Sequence, residues 1–368
     1  MTRDGAPDRP QFYPRGLNRQ VHGLRGLAAL LVFVYHLYGM SVLGGFWPAH
    51  QIAGFAWLDF GRHAVELFFI ISGYLIAGSV VRHGNAGRFL LDRCIRIYPV
   101  FLAIHVLVFG LGPIIGYKWL AGITPAAWLR AFAENALFLP GLFDLPLAQL
   151  NAWSLSYEAA FYLLCAAVFV IARRFGRRPA WGALIVAVAP LLWVYPIAGF
   201  FLVGAAIHFL RQRVTWAAPA PLRALSPAFL AATLVLLTID EGSRPLIYAA
   251  CIPGFLFFWC IVGGACPVSA VLRCRPLQYL GTISYSFYLW SALVTFPLKE
   301  AIGAMIEPSA GPWLAVATFA ASGLALSLGV SHLSFLWLEE RAGQVLRRAV
   351  WRRSAVPTPL AITPQPSE

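Results

Sequence analysis

Charge is the first thing this sequence is short of. Only 12% of its 368 residues are Asp, Glu, Lys or Arg, about half the quarter that soluble domains usually carry. Acid is scarcer still, with 15 Asp and Glu against 28 Lys and Arg. Strand-like alternation over about ten residues is missing too, which excludes a membrane β-barrel. The six cysteines (94, 165, 251, 260, 266 and 274) lack metal-ligand spacing, and several fall inside apolar runs. That argues against a zinc site and against a disulfide framework. No internal repeat and no second soluble domain can be traced. The first apolar run is too long for a signal-peptide core and has no clear small-residue cleavage site, so it reads as a retained helix.

What is present is apolar surface. Hydrophobic residues make up 60% of the chain, gathered into runs near the roughly 20 residues that span a bilayer as a helix. Backbone groups inside lipid must be satisfied within their own segment, so the runs predict helices. The expected fold is an all-α polytopic integral membrane protein, a bundle of about ten transmembrane helices. The spans read as 23–43, 64–81, 96–116, 153–172, 180–195, 197–210, 226–240, 245–264, 279–298 and 312–338.

The net charge of +13 could suggest nucleic acid, but its placement argues otherwise. Alternating the spans from a cytoplasmic start leaves all the basic residues inside except Arg62, Lys118, Arg130, Arg244 and Lys299. This is the positive-inside pattern. It predicts a multi-pass protein of the cell inner (plasma) membrane with both termini cytoplasmic. Residues 1–21 read as a polar cytoplasmic arm, 22–345 as the membrane domain, and 346–368 as a basic, then Pro-rich, disordered tail. The connection 117–152, rich in Trp, Phe and Pro, falls outside, in the interface or dipping into the membrane.

Ionisable residues inside such spans are costly, and they mark cavities or pathways. In LRGLAALLVFVYH (24–36), Arg25 and His36 stand eleven positions apart. On a helix that places them on one face, separated by roughly 16 Å along the axis. In NAWSLSYEAAFYLL (151–164), Glu158 lies about as deep from the outer end as His36. The two suggest an imidazole–carboxylate pair suited to general-base work on a hydroxyl. Glu66, in AVELFFIISGYLI, is also near the outer face. On the cytoplasmic side RFLLDRCIRIYP (88–99) sets Arg93 and Arg96 one turn apart. With Arg25 they form a cationic layer able to grip phosphates. Each has a bland alternative: Arg25 snorkelling, His36 as a packed neutral imidazole, Glu158 paired with an arginine for packing, and the arginines touching lipid headgroups. Together they fit a ligand with a charged head and a long thin arm, and coenzyme A has that shape. His105 falls inside the third span, where it either lines the same cavity or is a hydrogen-bonded core residue.

At these residues the chain resembles the membrane acyltransferase-3 family, whose members acylate polysaccharides, peptidoglycan, Nod factors and macrolides. The resemblance runs over about residues 20–345. It is carried by GLRGLAALLVFVYH, ELFFIISGYLI, RFLLDRCIRIYP, WSLSYEAAFYL and LGTISYSFYLW, in the family's order. It implies transfer of an acyl group, commonly acetyl, from cytoplasmic acyl-CoA to a hydroxyl of a carbohydrate or glycolipid. No metal is expected. The family's essential Arg and His fall on Arg25 and His36, its arginine pair on Arg93 and Arg96, and its carboxylate on Glu158. His36 is expected as general base or transient acyl carrier. Glu66, Trp153, Ser154 and Tyr285 are further pocket candidates from the same motifs.

Departures from the pattern are His22 where Asp is usual, Ser291 for a histidine, Ala159 for a second acid, and Glu340-Arg341-Ala342 for Glu-basic-Pro. They blur the acceptor more than the chemistry. A macrolide or other small-molecule hydroxyl is the alternative acceptor. A transporter is the alternative class, but the inverted repeats it would show are not found.

Overall fold

The computed structural model describes residues 18–47, 49–214, 218–306 and 312–352. Most of the predicted arm and the Pro-rich end of the tail lie outside the described residues. The long elements are helices: α1 (Arg19–Leu43), α2 (Ala64–His83), α3 (Ala86–Ile115), α4 (Pro125–Ala136), α5 (Trp153–Phe175) and α6 (Arg177–Val194). They continue as α7 (Gly199–Arg213), α8 (Ser226–Ile239), α9 (Arg244–Gly263), α10 (Arg275–Met305), α11 (Pro312–Ser334) and α12 (Gly343–Arg352). Each of the ten expected spans falls on one of these helices. Between α11 and α12, Phe335–Ala342 is π-helical.

Local sequence explains several boundaries. Asn18 caps α1 by accepting from the Gln20 amide at 2.9 Å, and Asn85 caps α3 through the Arg88 amide at 2.9 Å. Proline occupies the first turn of α4, α8, α9 and α10, where its missing N–H costs nothing. Gly84 and Gly116 end α2 and α3 in the left-handed region, at φ 61° and 69°. Pro113 inside α3 leaves the Phe109 carbonyl without its helical donor, and Trp128 of α4 fills it from Nε1 at 3.0 Å.

Among the described residues six helical stretches are long and apolar enough to cross a bilayer: Arg19–Leu43, Ile52–His83, Ala86–Ile115, Leu150–Phe175, Arg244–Gly263 and Trp313–Val350. The protein is an all-helical, polytopic membrane protein. α10 runs 31 residues but carries Gln278, Ser284, Ser286, Ser291 and Thr295, all buried. In lipid those groups would cost free energy; within the bundle their donors find partners. Gln278, for example, donates to the carbonyls of Arg19 and Leu272 at 2.7 and 2.6 Å.

Glycine makes the tightest seams. A Cβ on Gly26 would collide with the Leu277 carbonyl, and one on Gly281 with that of His22, so α1 and α10 touch backbone to backbone. α2 and α7 repeat the device reciprocally: Gly73 abuts the Phe201 carbonyl, and Gly204 abuts that of Ile70. Small residues let membrane helices approach closely enough for dispersion to replace the missing hydrophobic drive. Connection 117–152 folds onto α3 through fully buried His105, whose Nε2 lies 3.1 Å from the Phe132 carbonyl and Nδ1 3.3 Å from Gln149 Nε2. Donation to that carbonyl fixes Nε2 as protonated and Nδ1 as acceptor. His105 is thus a structural residue.

Replacing Gly73 or Gly204 with leucine should lower stability in detergent by at least the ~1–3 kcal/mol typical of overpacking. Gly329→Leu, where a new Cβ meets nothing within 4 Å, should leave the melting temperature unchanged.

Candidate active site

Two polar layers lie inside the bundle, and a cavity of about 80 Å³ adjoins both. At one end it is lined by Arg25 of α1, Arg93 and Arg96 of α3, and Glu158 of α5. Ser154, Glu158 and Tyr162 line it from one face of α5, because their spacing of four returns each side chain to the same side. Ser284, Tyr285 and Tyr288 do the same from α10, and Ser72 from α2.

Glu158 accepts hydrogen bonds on Oε1 from Tyr162, through a short contact, and from Ser72 at 3.3 Å. It acts electrostatically on Arg25 and Arg96. So does a second carboxylate, Glu339, from the π-helical segment. Among the described residues neither Arg25 nor Arg96 makes an ion pair within 4.0 Å, and both line the cavity together with Glu158. Arg93 differs. Its guanidinium is 2.7 Å from Asp92, which also meets Arg347 of α12 at 3.3 Å.

At the other end of the cavity Ser154 Oγ lies 2.9 Å from the Tyr288 hydroxyl and donates to the Asn151 carbonyl at 3.1 Å. Asn151 is buried, and its Nδ2 is committed to the Tyr288 carbonyl through a short bond. Its side chain is also the polar neighbour that acts on His36. With Nδ2 engaged, Oδ1 is the atom left to accept from an imidazole N–H. Asn151 precedes Glu158 by seven residues, roughly 10 Å along a helix axis, so the imidazole and the arginine layer stand well apart.

A family model for an acyltransferase domain matches residues 18–332. The chain belongs to the acyltransferase-3 family. It is 24% identical to the peptidoglycan O-acetyltransferase OatA of Listeria monocytogenes, over 89% of this chain and 56% of that protein. It is 31% identical to nodulation protein 10 of Rhizobium leguminosarum bv. viciae, over 46% of this chain and 49% of that one. Acyltransferase MdmB of Streptomyces mycarofaciens is 30% identical, over 43% and 41%. The chain thus spans about half the length of these relatives. No solved structure matches it.

Within this acyltransferase-3 chain the expected site residues separate into four places. Arg25, Arg93, Arg96, Glu158, Ser154 and Tyr285 share one cavity. Tyr285 also ties α10 to α3, donating to the Ile97 carbonyl at 2.8 Å. His36 stands beyond the Ser154–Tyr288 pair, on Asn151. Glu66 belongs to neither layer: it is buried against His63 at 3.4 Å. Trp153 packs edge-on against Phe69 and Tyr157 and does not line the cavity.

The expected His36–Glu158 pair is therefore corrected. Glu158 joins the arginines, and the neutral side chain of Asn151 meets the imidazole. A buried guanidinium without a counter-charge costs several kcal/mol, and that demand draws the carboxylate. The cationic layer is accordingly a mixed one, shared with Glu158, Glu339 and Asp92. Asn151 and Glu339 are the groups that reading the sequence missed. The first stands one residue upstream of Ala-Trp-Ser-Leu, and the second is disguised among the charges of LEERA (338–342).

Glu158→Ala should destabilise the protein by about 3–5 kcal/mol, the usual result of stripping a buried charge of its partner. Glu158→Gln, which still accepts from Tyr162 and Ser72, should cost less. The double variant Arg25→Met/Glu158→Met should cost less than the sum of its single changes in detergent melts.

Proposed function

We propose that this protein is an O-acyltransferase that moves an acyl group, acetyl in the simplest case, from cytoplasmic acyl-CoA to a hydroxyl of a carbohydrate or glycolipid. The observation that carries this reading is the single cavity leading from three arginines to the hydroxyl pair that abuts the Asn151–His36 contact. Guanidinium groups suit the donor's phosphates. The serine and tyrosine hydroxyls between the layers suit the amides of a pantetheine arm. At about 80 Å³ the cavity holds a few waters, so the arm enters only as the Ser154–Tyr288 bond yields. Nothing in the carbohydrate preference depends on this geometry; it is supported by the printed name of OatA, a peptidoglycan O-acetyltransferase.

In the proposed reaction Asn151 holds one imidazole nitrogen as N–H, leaving the other as a base. The acceptor O–H gives its proton to His36 while its oxygen attacks the thioester carbonyl. The tetrahedral adduct then expels the thiolate, which takes the proton back from the imidazolium, so no net proton is exchanged. Tyr288, whose hydroxyl is released as its bond to Ser154 yields, is the donor that stabilises the developing oxyanion in this scheme. Arg25 and Glu158, assigned to catalysis by resemblance, act in this scheme on the donor side.

The ten helices at the expected spans and the distribution of arginines support a topology with both termini on the cytoplasmic side of the inner membrane. Reporter fusions should place residue 145 outside and the end of α12 inside; the reverse pattern would overturn the vectorial scheme.

His36→Ala should lower acyl transfer from labelled acetyl-CoA in isolated membranes by about 10²–10⁴-fold. Asn151→Ala should cut kcat and leave the KM for the donor near wild type. Activity close to wild type in His36→Ala, at normal protein levels, would refute the assignment. Mass spectrometry of surface glycans with and without the protein separates carbohydrate from small-molecule acceptors.

A further inference from the structure

The buried arginines carry more acid than a phosphate-binding layer needs. Arg25, Arg93 and Arg96 are faced by Glu158, Glu339 and Asp92, and Arg347 adds a fourth cation on Asp92, so most of the positive charge is already answered by acid. Glu158 is built into α5 and bound by Tyr162 and Ser72. Asp92 is spanned by Arg93 and Arg347. Glu339 is held differently: one oxygen accepts from the Ser286 amide at 3.1 Å and from the Ser286 hydroxyl at 2.5 Å. That hydroxyl also meets Ser334 at 3.0 Å. Glu339 makes no ion pair within 4.0 Å among the described residues. It is a negative charge standing off two guanidinium groups that line the cavity.

Its backbone is unusual as well. Phe335–Ala342 is π-helical, a winding found mostly as single turns at functional sites. A π turn holds one residue more than an α turn, and rewinding it would carry Glu339 away from Ser286.

We propose that Glu339 is a positioning residue that stands in for the donor's phosphate, keeping Arg25 and Arg96 ordered in the empty site and giving them up when the donor binds. This rests on the donor site proposed above. An anion entering a cluster whose arginines are already faced by acid competes with those acids, and Glu339 is the carboxylate held by the fewest side chains. Its role is to let buried arginines persist without donor, and to weaken the grip on the spent carrier so that it leaves.

The test is the affinity of the purified full-length protein for adenosine 3′,5′-bisphosphate, the donor's head without its thioester. Glu339→Gln should bind this probe about 10-fold more tightly than wild type, since one repelling charge is gone, with a lower KM for acetyl-CoA and a lower kcat. Glu339→Asp should stay near wild type. Arg96→Gln should bind weakly, and the double variant Arg96→Gln/Glu339→Gln, which restores the charge balance should the single Gln variant fold poorly, should bind more tightly than Arg96→Gln alone. Unchanged or weaker binding in Glu339→Gln, or a double variant no better than Arg96→Gln, overturns the inference and leaves the donor site standing. Wild-type protein that does not bind the probe overturns both.

Discussion

A guanidinium inside lipid cannot be answered by water, and that constraint organises this structure. Arg25 sits on α1 and Arg96 on α3, while the acids that face them come from α5 and from the π-helical turn near the end of the described chain. Four segments distant in sequence are thereby drawn to one point. Asp92 extends the cluster to α12 through Arg347. The energy involved need not be a net gain relative to an apolar core, because burying charge is expensive even when it is paired. What the cluster provides is a penalty for any arrangement that separates its members. That penalty keeps a polar cavity open where side-chain packing alone would close it.

The apolar seams provide the complementary half. Association of helices in a bilayer depends on close contact; the glycine-mediated approach of α1 to α10 joins two helices that line the cavity, and that of α2 to α7 backs the cavity-lining α2 from outside. α10 can be rich in hydroxyls because it touches α1 so closely: its polar face looks into the bundle, where Ser286 serves Glu339 and Tyr288 serves Ser154. A helix too polar to stand among the six apolar spans is thus one of those that line the site.

How far the sequence could be read follows from the same physics. Long apolar runs marked ten helices, because the bilayer imposes length and apolarity together. The arginines were legible because regular spacing on α1 and α3 fixes their faces. The partner of Glu158 was not. Counting depth along two helices supplies one coordinate and says nothing about the direction in which a side chain points, and the carboxylate of α5 turns to the guanidinium side. Asn151 lies in the 3₁₀ turn Leu150–Ala152 that precedes α5, where helical periodicity does not apply. Glu339 was hidden by its π turn, since a 3.6-residue repeat continued from α11 assigns the wrong face. The depth of His105 left it open between a cavity residue and a hydrogen-bonded core residue, and the carbonyl and amide that hold it favour the core.

The separation of the two layers has a chemical consequence. Ion pairs would have to be broken at considerable cost for anything to pass between them, whereas exchanging one neutral hydrogen bond for another changes the free energy by about 0.5–1.5 kcal/mol. The cavity beyond Glu158 carries the hydroxyls of Ser72, Ser154, Ser284 and Tyr288 among apolar side chains such as Val65, Phe68 and Leu155, so a neutral arm need exchange only the Ser154–Tyr288 bond to advance. A charged group cannot follow it, because no guanidinium lines the far end. For the acyl-CoA donor proposed above, the phosphates would be stopped at the arginines while the thioester went on to the imidazole. The distance between the layers then sets the length of arm that can react, a selection made by where charge ends and hydroxyls begin.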